Sequence, residues 1–595
     1  MIKDRLRKLR SLMAENGVQA YIVPSTDPHQ SEYVPAFWRR REWISGFTGS
    51  AGDVVVTMDK AGLWTDSRYF LQAEDQLEGS GITLFKQGVS GTPSIVSWIT
   101  DQLSSGERVG VDARLFTSGE FSAMAETWAM SGIGLISLSE NLVDLIWADR
   151  PDVPSEPVRV HPVEFSGESV ADKLEKIRRE LKLRRMDAHV VTMLDAIAWL
   201  YNVRGSDVEY NPVVIAYAIV TMDSAMLFVH GEKVGESLRS HLAGQVNINE
   251  YEAFADALGE LADGGGRILL DSGSASQWVT EQLEGNCSVE MGTSPITLLK
   301  AVKNEVELEG FKKAHVRDGV AMVRFLNWLE KAVPAGGVTE ISAADKLAGF
   351  RAENEHFTGL SFETISSYGP HGAIIHYGPT PETDVELKPD GIYLVDSGGQ
   401  YLDGTTDITR TVTLGNPTKK QKELFTRVLK GHIDLGMCRF PVGTVGKQLD
   451  TIARLPLWEV GLNYGHGTGH GVGSYLNVHE GPHAISYYRC IGVPFMPGMV
   501  TSNEPGFYLA GEFGIRIENL VYVVQDETAP DKELPFNRFE NLTVCPIDTR
   551  LVEQSLLTDA ELDYLNRYHR FVFDSLSPLL SGDDLEWLRK ATKKL

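Results

Sequence analysis

Between residues 1 and 300 the chain repeats itself, and no other feature constrains its fold so tightly. "WISGFTGS" from Trp43 and "WLYNVRGS" from Trp199 share the pattern W-x3-[FV]-x-G-S. Downstream, "VTMDKAGLWTD" from Val56 aligns without gaps with "VTMDSAMLFVH" from Val220. Upstream, the basic amphipathic "RLRKLRSLMAENG" leads into the apolar "VQAYIVP", and in the second copy "KLEKIRRELKLRRM" leads into "DAHVVT". Each copy therefore predicts a helix, a strand, a tryptophan-bearing turn and further strands, an α/β unit. The copies differ by insertions, notably "DPHQSEYVPAFWRRRE" in the first. Segment 149–169, rich in Pro, Ser and acid, reads as a linker. Near residue 300 a long helical pattern begins, with Val316, Val320, Val323, Leu326 and Leu329 spaced for one buried face. A chain of 595 residues needs more than one core. The expected division is into domains 1–155, 156–300 and 301–595, all of mixed α/β (α+β) character.

Several function classes fall away on composition. A net charge of -25 argues against nucleic acid or an anionic membrane as a partner. No run of 18 apolar residues is present to span a bilayer. The N-terminal "MIKDRLRKLRSLMAENG" lacks the apolar centre of a secretory signal. Cys287, Cys438, Cys490 and Cys545 are scattered without a CxxC pairing, which fits reduced core thiols and a cytoplasmic setting.

The chemistry is concentrated in the last domain. "NYGHGTGHGVGSYLNVHEGPH", residues 463–483, holds His466, His470, His479 and His483. Two histidines four apart suggest a helical zinc motif. Here Gly465, Gly467, Gly469, Gly471 and Gly473 alternate through the segment, each costing roughly 1 kcal/mol in a helix. The segment is expected to be extended or looping, with a backbone that something approaches closely. At about 3.3 Å per residue, His466 and His470 would stand about 13 Å apart, so at most one of them ligates a given ion.

Acids supply the remaining donors. "PDGIYLVDSGGQYLDGTTDITRTVTLG" from Pro389 and "PGMVTSNEPGFYLAGEFGIRIENLVYVV" from Pro497 share a frame. Asp396 and Glu504 each follow the proline by seven residues, and Asp407 and Glu518 follow across glycine-bearing turns. β-Branched and aromatic flanks predict two hairpins, centred just before Asp403 and on Gly511, each bringing its acid pair face to face. Directly facing like charges destabilise a sheet, and four carboxylates call for compensating cations. Four acids and one imidazole make a donor set suited to two divalent ions such as Mn²⁺, Co²⁺, Fe²⁺ or Zn²⁺.

At these residues the sequence resembles the dimetal pita-bread peptidases, and specifically the long, three-domain, cytosolic type of aminopeptidase P (Xaa-Pro aminopeptidase). "VDSGGQYLDGTTDITRT", "GHGTGHGVGSYLNVHEGP" and "TSNEPGFYLAGEFGIRIEN" carry the likeness. "GFTGSAG", "LWTDSRYFLQA", "RGSDVEYNPV", "TEISAADK" and "GLSFETISSYGPHGAIIHYGP" extend it along the whole chain. The resemblance implies two creatinase-like domains followed by a pita-bread catalytic domain. It implies metal ligands Asp396, Asp407, His470, Glu504 and Glu518, with Asp407 and Glu518 bridging two ions. Mn²⁺ is the usual metal, with Zn²⁺ or Co²⁺ as alternatives. His376, His466 and His479 would line the substrate site, and Arg516 would contact substrate with His479. Glu504 would serve as proton acceptor in attack by a hydroxide held between the ions. His371 and His483 receive no role beyond a structural one, and Asp66 and Arg68 read as a surface ion pair. The activity implied is release of the first residue from peptides with proline in second place, by a cytoplasmic homodimer. Xaa-Pro dipeptidase (prolidase) and an inactive peptide-binding module of the same fold are the alternatives. The C-terminal segment predicts two helices, the first packing through Leu562, Leu565 and Phe571.

Overall fold

The computed structural model describes residues 1–488, 492–528 and 533–595, which leaves Cys490 outside the described residues. The chain divides into two compact units, Met1–His161 with Glu168–Ile296, and Pro162–Gly167 with Thr297–Leu595.

The first unit contains the repeat. Helix α1 (Ile2–Glu15) buries Leu6, Leu9 and Met13 along one stripe and delivers the chain to β1 (Ala20–Val23). Strands β2 (Asp53–Thr57), β3 (Ala61–Thr65), β4 (Thr83–Lys86), β5 (Arg108–Val111) and β6 (Gly134–Ser137) complete a six-stranded sheet of order β4-β3-β2-β1-β5-β6. In the second copy α2 (Val170–Arg184) starts at a Ser169–Asp172 capping box. It leads to β7 (Ala188–Val191), β8 (Tyr217–Thr221), β9 (Ala225–Phe228), β10 (Asn247–Asn249), β11 (Arg267–Asp271) and β12 (Ser288–Gly292). The order β10-β9-β8-β7-β11-β12 reproduces the first sheet strand for strand, and so does the sense of every pairing. The ungapped alignment places β2 on β8 and β3 on β9, so the similarity in sequence is similarity of the sheet itself. Arg68 donates to both carboxylate oxygens of Asp66, at 2.8 and 2.7 Å.

The second unit opens on α3 (Glu305–Ala335), capped by Asn304 and Glu307. Val323, Leu326 and Leu329 are buried along it, while Val316 and Val320 are partly buried. Helix α4 (Glu340–Ala352) follows. Then come β13 (Ile365–Tyr368), β14 (Ile392–Ser397), β15 (Gly399–Tyr401), β16 (Gly404–Thr405) and β17 (Ile408–Thr413). Helices α5 (Lys419–Gly436) and α6 (Gly446–Trp458) precede β18 (Gly469–Gly471) and β19 (Glu480–Ile485). Strands β20 (Val500–Asn503), β21 (Gly506–Leu509), β22 (Phe513–Arg516), β23 (Asn519–Gln525) and β24 (Phe536–Asn541) follow. The chain ends in α7 (Asp559–Leu576) and α8 (Gly582–Ala591). Sheet β13-β14-β17 carries Asp396, with Asp407 immediately before β17; β24-β23-β20-β18-β19 runs past the histidine segment. Helices α3, α5 and α7 pack a common core through Val323, Phe425, Val428, Leu429, Leu565, Val572 and Leu576. The expectation for α7 needs one correction, because Phe571 is exposed and Tyr568 and Val572 take the buried stripe. Cys545 is buried, whereas Cys287 and Cys438 are half-buried.

Candidate metal centre

Both acid hairpins form, with different registers. Strands β14 and β17 pair antiparallel with Asp396 opposite Thr409 and Ser397 opposite Ile408. Strands β15 and β16 continue that register with Gln400 opposite Thr405. Asp396 and Asp407 are therefore offset by two residues, a correction to the face-to-face arrangement read from the sequence. A two-residue offset keeps both side chains on one face and relaxes their spacing toward the roughly 7–8 Å of diagonal neighbours. The second hairpin turns at Gly511, where φ is +75°, and pairs Gly506 with Arg516. Asn503 opposite Asn519 keeps the same centre, so Glu504 and Glu518 hold opposing positions as the spacing predicts. Both lie in the break between consecutive strands, where their amides turn outward. Glu504 N–H donates to Thr468 O (2.8 Å) and Glu518 N–H to Thr409 O (3.1 Å), which knits the hairpins to each other and to the histidine segment.

His470 sits at the middle of β18, in extended rather than helical backbone. Its amide donates to Ser502 Oγ (2.9 Å) and its Nδ1–H to Gly471 O (3.0 Å). That bond leaves Nε2 as the lone-pair nitrogen, 3.4 Å from Asp407 Oδ2 and 3.6 Å from Glu504 Oε1. Donor atoms of Asp407, His470 and Glu518 all lie within 4.8 Å of one another. Thr409 Oγ1 steadies Glu518 Oε2 at 2.8 Å, and Ser502 Oγ donates to Glu504 Oε1 at 3.3 Å. Asp396 Oδ2 accepts from Arg516 Nε (3.1 Å) and Nη2 (2.6 Å). Its other oxygen, Oδ1, is buried with no hydrogen-bond partner. A buried carboxylate oxygen without a donor is costly, and a cation is the group this one lacks.

The electrostatics lead to the same inference. Burial, and then the charge of Asp407, pushes Asp396 up to about 6 against the pull of Arg516. Glu518 is driven well above the carboxylate range by burial and by Asp407, Asp396 and Glu504. Glu504 is raised by burial and Asp407, with His470 and Arg516 opposing. Burial disfavours a charged His470, but its hydrogen bond to Asp407 and the charge of Glu504 prevail and lift it to about 9.

The remaining expected site residues fall around this cluster. His479 stands edge to face with His470, ring centroids 4.3 Å apart. His376 is half-buried, and Ile375 O beside it accepts from Arg516 Nη2 (3.3 Å). His466 Nε2 accepts from Tyr508 OH (2.8 Å), and that hydroxyl accepts from Arg516 Nη1 (2.7 Å). Arg516 is 1% exposed and holds Asp396, Tyr508 and the chain beside His376 together. His483 is a core residue whose Nε2–H donates to Val500 O (2.8 Å). Sequence reasoning missed Tyr508, Thr409 and Ser502; the alternation of β21 and β17 marks their faces, but the hydroxyls become informative only beside their partners. The glycines also find a reason. A Cβ on Gly469 would strike Ser502 O and one on Gly471 would strike Glu480 O, so neighbouring strands, more than substrate, demand them.

Known proteins resemble this chain along its whole length. The model for the "Creatinase/Prolidase N-terminal domain" matches residues 5–146, and a second model of that description matches 149–307. "Metallopeptidase family M24" matches 309–525, and its C-terminal region matches 535–595. "Probable Xaa-Pro aminopeptidase P" of Laccaria bicolor is 46% identical over 100% of this chain and 93% of its own. The chain belongs to the aminopeptidase P family. The protein of the same name from Aspergillus fumigatus is 47% identical over 99% of this chain and 92% of its own. The crystal structure of the X-prolyl aminopeptidase of Caenorhabditis elegans, described as a cytosolic enzyme with a di-nuclear active site, superposes over 100% of both chains with TM-score 0.96 and 39% identity. The Xaa-Pro dipeptidase of Bacillus anthracis shares only the fold, at 22% identity and TM-score 0.52; 99% of it accounts for 64% of this chain. The family is thus a pita-bread M24 domain behind creatinase-like domains, as the sequence implied.

Proposed function

We propose that this chain is a metal-dependent Xaa-Pro aminopeptidase, releasing the first residue of peptides whose second residue is proline. The observation that carries the reading is the grouping of Asp407, His470 and Glu518, with Glu504 3.6 Å from His470 Nε2, inside a chain 46% identical from end to end to a protein of that name. Asp396, Asp407, His470, Glu504 and Glu518 would hold two divalent ions, and the orphaned Asp396 Oδ1 and the lone pair on His470 Nε2 suit them. Hard oxygen donors with one nitrogen favour Mn²⁺, with Zn²⁺ and Co²⁺ as alternatives. Such ions supply Lewis-acid polarisation of a peptide carbonyl and make water acidic near neutral pH.

The chain's own residues do the rest. Glu504, 3.6 Å from His470 Nε2, accepts the proton of the attacking water and passes it to the imide nitrogen. His479 or His376 donates to the oxygen on which charge develops. Proline's imide nitrogen has no N–H, so a general peptidase that relies on that donor gains nothing here. Arg516 and Tyr508 keep Asp396 and His466 in place. The domains are proposed as 1–155, 156–300 and 301–595, the first two following the two sheets. A cytoplasmic setting is supported by the relative described as cytosolic, and no described helix is long and apolar enough to cross a membrane. A homodimer through the catalytic domain is supported by an exposed apolar patch of Leu455, Trp458, Val460 and Tyr488.

The test is hydrolysis of Arg-Pro-Pro beside Arg-Pro by Mn²⁺-loaded protein, with and without chelator. Chelator-sensitive release of Arg from the tripeptide alone is the expected result. Cleavage confined to the dipeptide would make the chain a prolidase, and silence on both with metal bound would make it a binding module.

A further inference from the structure

Glu340 opens α4, in the motif "TEISAADK", far from the acid hairpins in sequence and outside the metal cluster. It is fully buried, with Lys and Arg absent from its hydrogen-bond partners among the described residues. Every donor to its carboxylate comes from one short stretch, 368–377. Oε1 accepts from Tyr368 N–H (2.7 Å) and His371 Nδ1 (3.0 Å). Oε2 accepts from Tyr377 OH (2.9 Å) and the same Nδ1 (2.9 Å). The rings of His371 and Tyr377 lie 4.4 Å apart, so the carboxylate closes the stretch into a loop. Its backbone joins in, with Ser366 Oγ donating to Glu340 O at 2.6 Å.

The other side of that loop rests on the metal-site hairpin. Gly372 approaches Gly514 so closely that a Cβ on either would collide with the partner's backbone, and Ile375 O accepts from Arg516. His376 is therefore gripped on both sides: Tyr377, the next residue, is bound to Glu340, and Ile375, the previous one, to the guanidinium that holds Asp396.

We propose that Glu340 is a positioning residue for His376, and that His371 and Tyr377 are the contacts through which it acts. This rests on the reading above that His376 meets the substrate. It gives a task to a motif and a histidine for which the sequence offered none. A buried carboxylate suits the purpose because it accepts several hydrogen bonds at once from groups that share no other partner, so removing its charge loosens all of them together.

The test is a double-mutant cycle of Glu340→Gln with His376→Ala, with ion content and melting temperature measured on every variant. Glu340→Gln is expected to lower kcat by about tenfold or more, with the same kcat-against-KM split as His376→Ala and unchanged ion content. The double variant is expected to be no slower than His376→Ala alone. Multiplying effects, or full activity in Glu340→Gln, would overturn the proposal. Should Glu340→Gln fold poorly, Tyr377→Phe runs the same cycle with a smaller expected loss. Amide exchange of 372–377 reads positioning without any substrate, so it survives failure of the aminopeptidase reading. Faster exchange in Glu340→Gln by about tenfold is expected, and unchanged exchange sinks the idea.

Discussion

Glu504, partly exposed, and Arg516, fully buried, do different work. Glu504 reaches His470, 3.6 Å from its Nε2, and is proposed above as a donor to metal and the acceptor from water. Glu504→Ala is expected to lower kcat by at least about a thousandfold, with the fold retained by circular dichroism. Arg516 makes a fork to Asp396 that a lysine cannot reproduce. Arg516→Lys should lower activity by about tenfold to a hundredfold, with weaker retention of the second ion by elemental analysis. The four acids were legible because their spacing repeats in two hairpins, whereas only the family resemblance singled out His470 among the four histidines. Tyr508, Thr409 and Ser502 were not, because a hydroxyl in a strand carries no signal until its partner across the fold is known.

At the scale of elements, close packing of strands rather than flexibility governs the glycine-rich segment. Gly469→Ala should destabilise the protein by about 1–3 kcal/mol or more, because the obstacle is the backbone of Ser502. Gly467→Ala meets the Ser486 side chain at 3.4 Å and Ile485 O at 3.6 Å, both ordinary van der Waals contacts, and is expected to cost little; thermal melts of both variants check this contrast. Between α5 and α7, Asp434 is pushed up to about 6 by burial and by Glu561, with Lys430 opposing. Its folded pKa lies above the unfolded value near 3.9, so folding disfavours its ionised form. The penalty is complete above about pH 6 and vanishes as pH falls below the unfolded value. Asp434→Asn should therefore raise stability at pH 8, by up to about 1 kcal/mol after solvent screening, and leave it unchanged near pH 3.5; denaturant melts at both pH values check the sign. Element boundaries show the limit of local reading. Counting to the midpoint found the turn at Gly511 but missed the other hairpin by one residue, because "YLDG" offers two adjacent positions for a turn and only pairing with β15 and β16 selects one.

At the scale of the whole molecule, self-association remains to be tested. Leu455 is 53% exposed beside Trp458, whose ring meets Tyr487. Leu455→Glu should convert a dimer to monomer in sedimentation at micromolar concentration while leaving the melting temperature within a few degrees, because burying one carboxylate in an apolar interface costs several kcal/mol. The sequence by itself determined the repeat, the class of fold, and the matched spacing of the four acids. These are properties of periodicity and spacing, and they survive without coordinates because strands and hairpins are local. Only the tertiary structure decided that Asp396 and Asp407 stand diagonally, that Arg516 serves Asp396, and that Glu340 grips the stretch around His376. The diagonal follows from where in "YLDG" the turn falls, whereas the other two depend on segments 37 and 120 residues apart meeting in a buried, low-dielectric place, where one hydrogen bond fixes what no local pattern encodes.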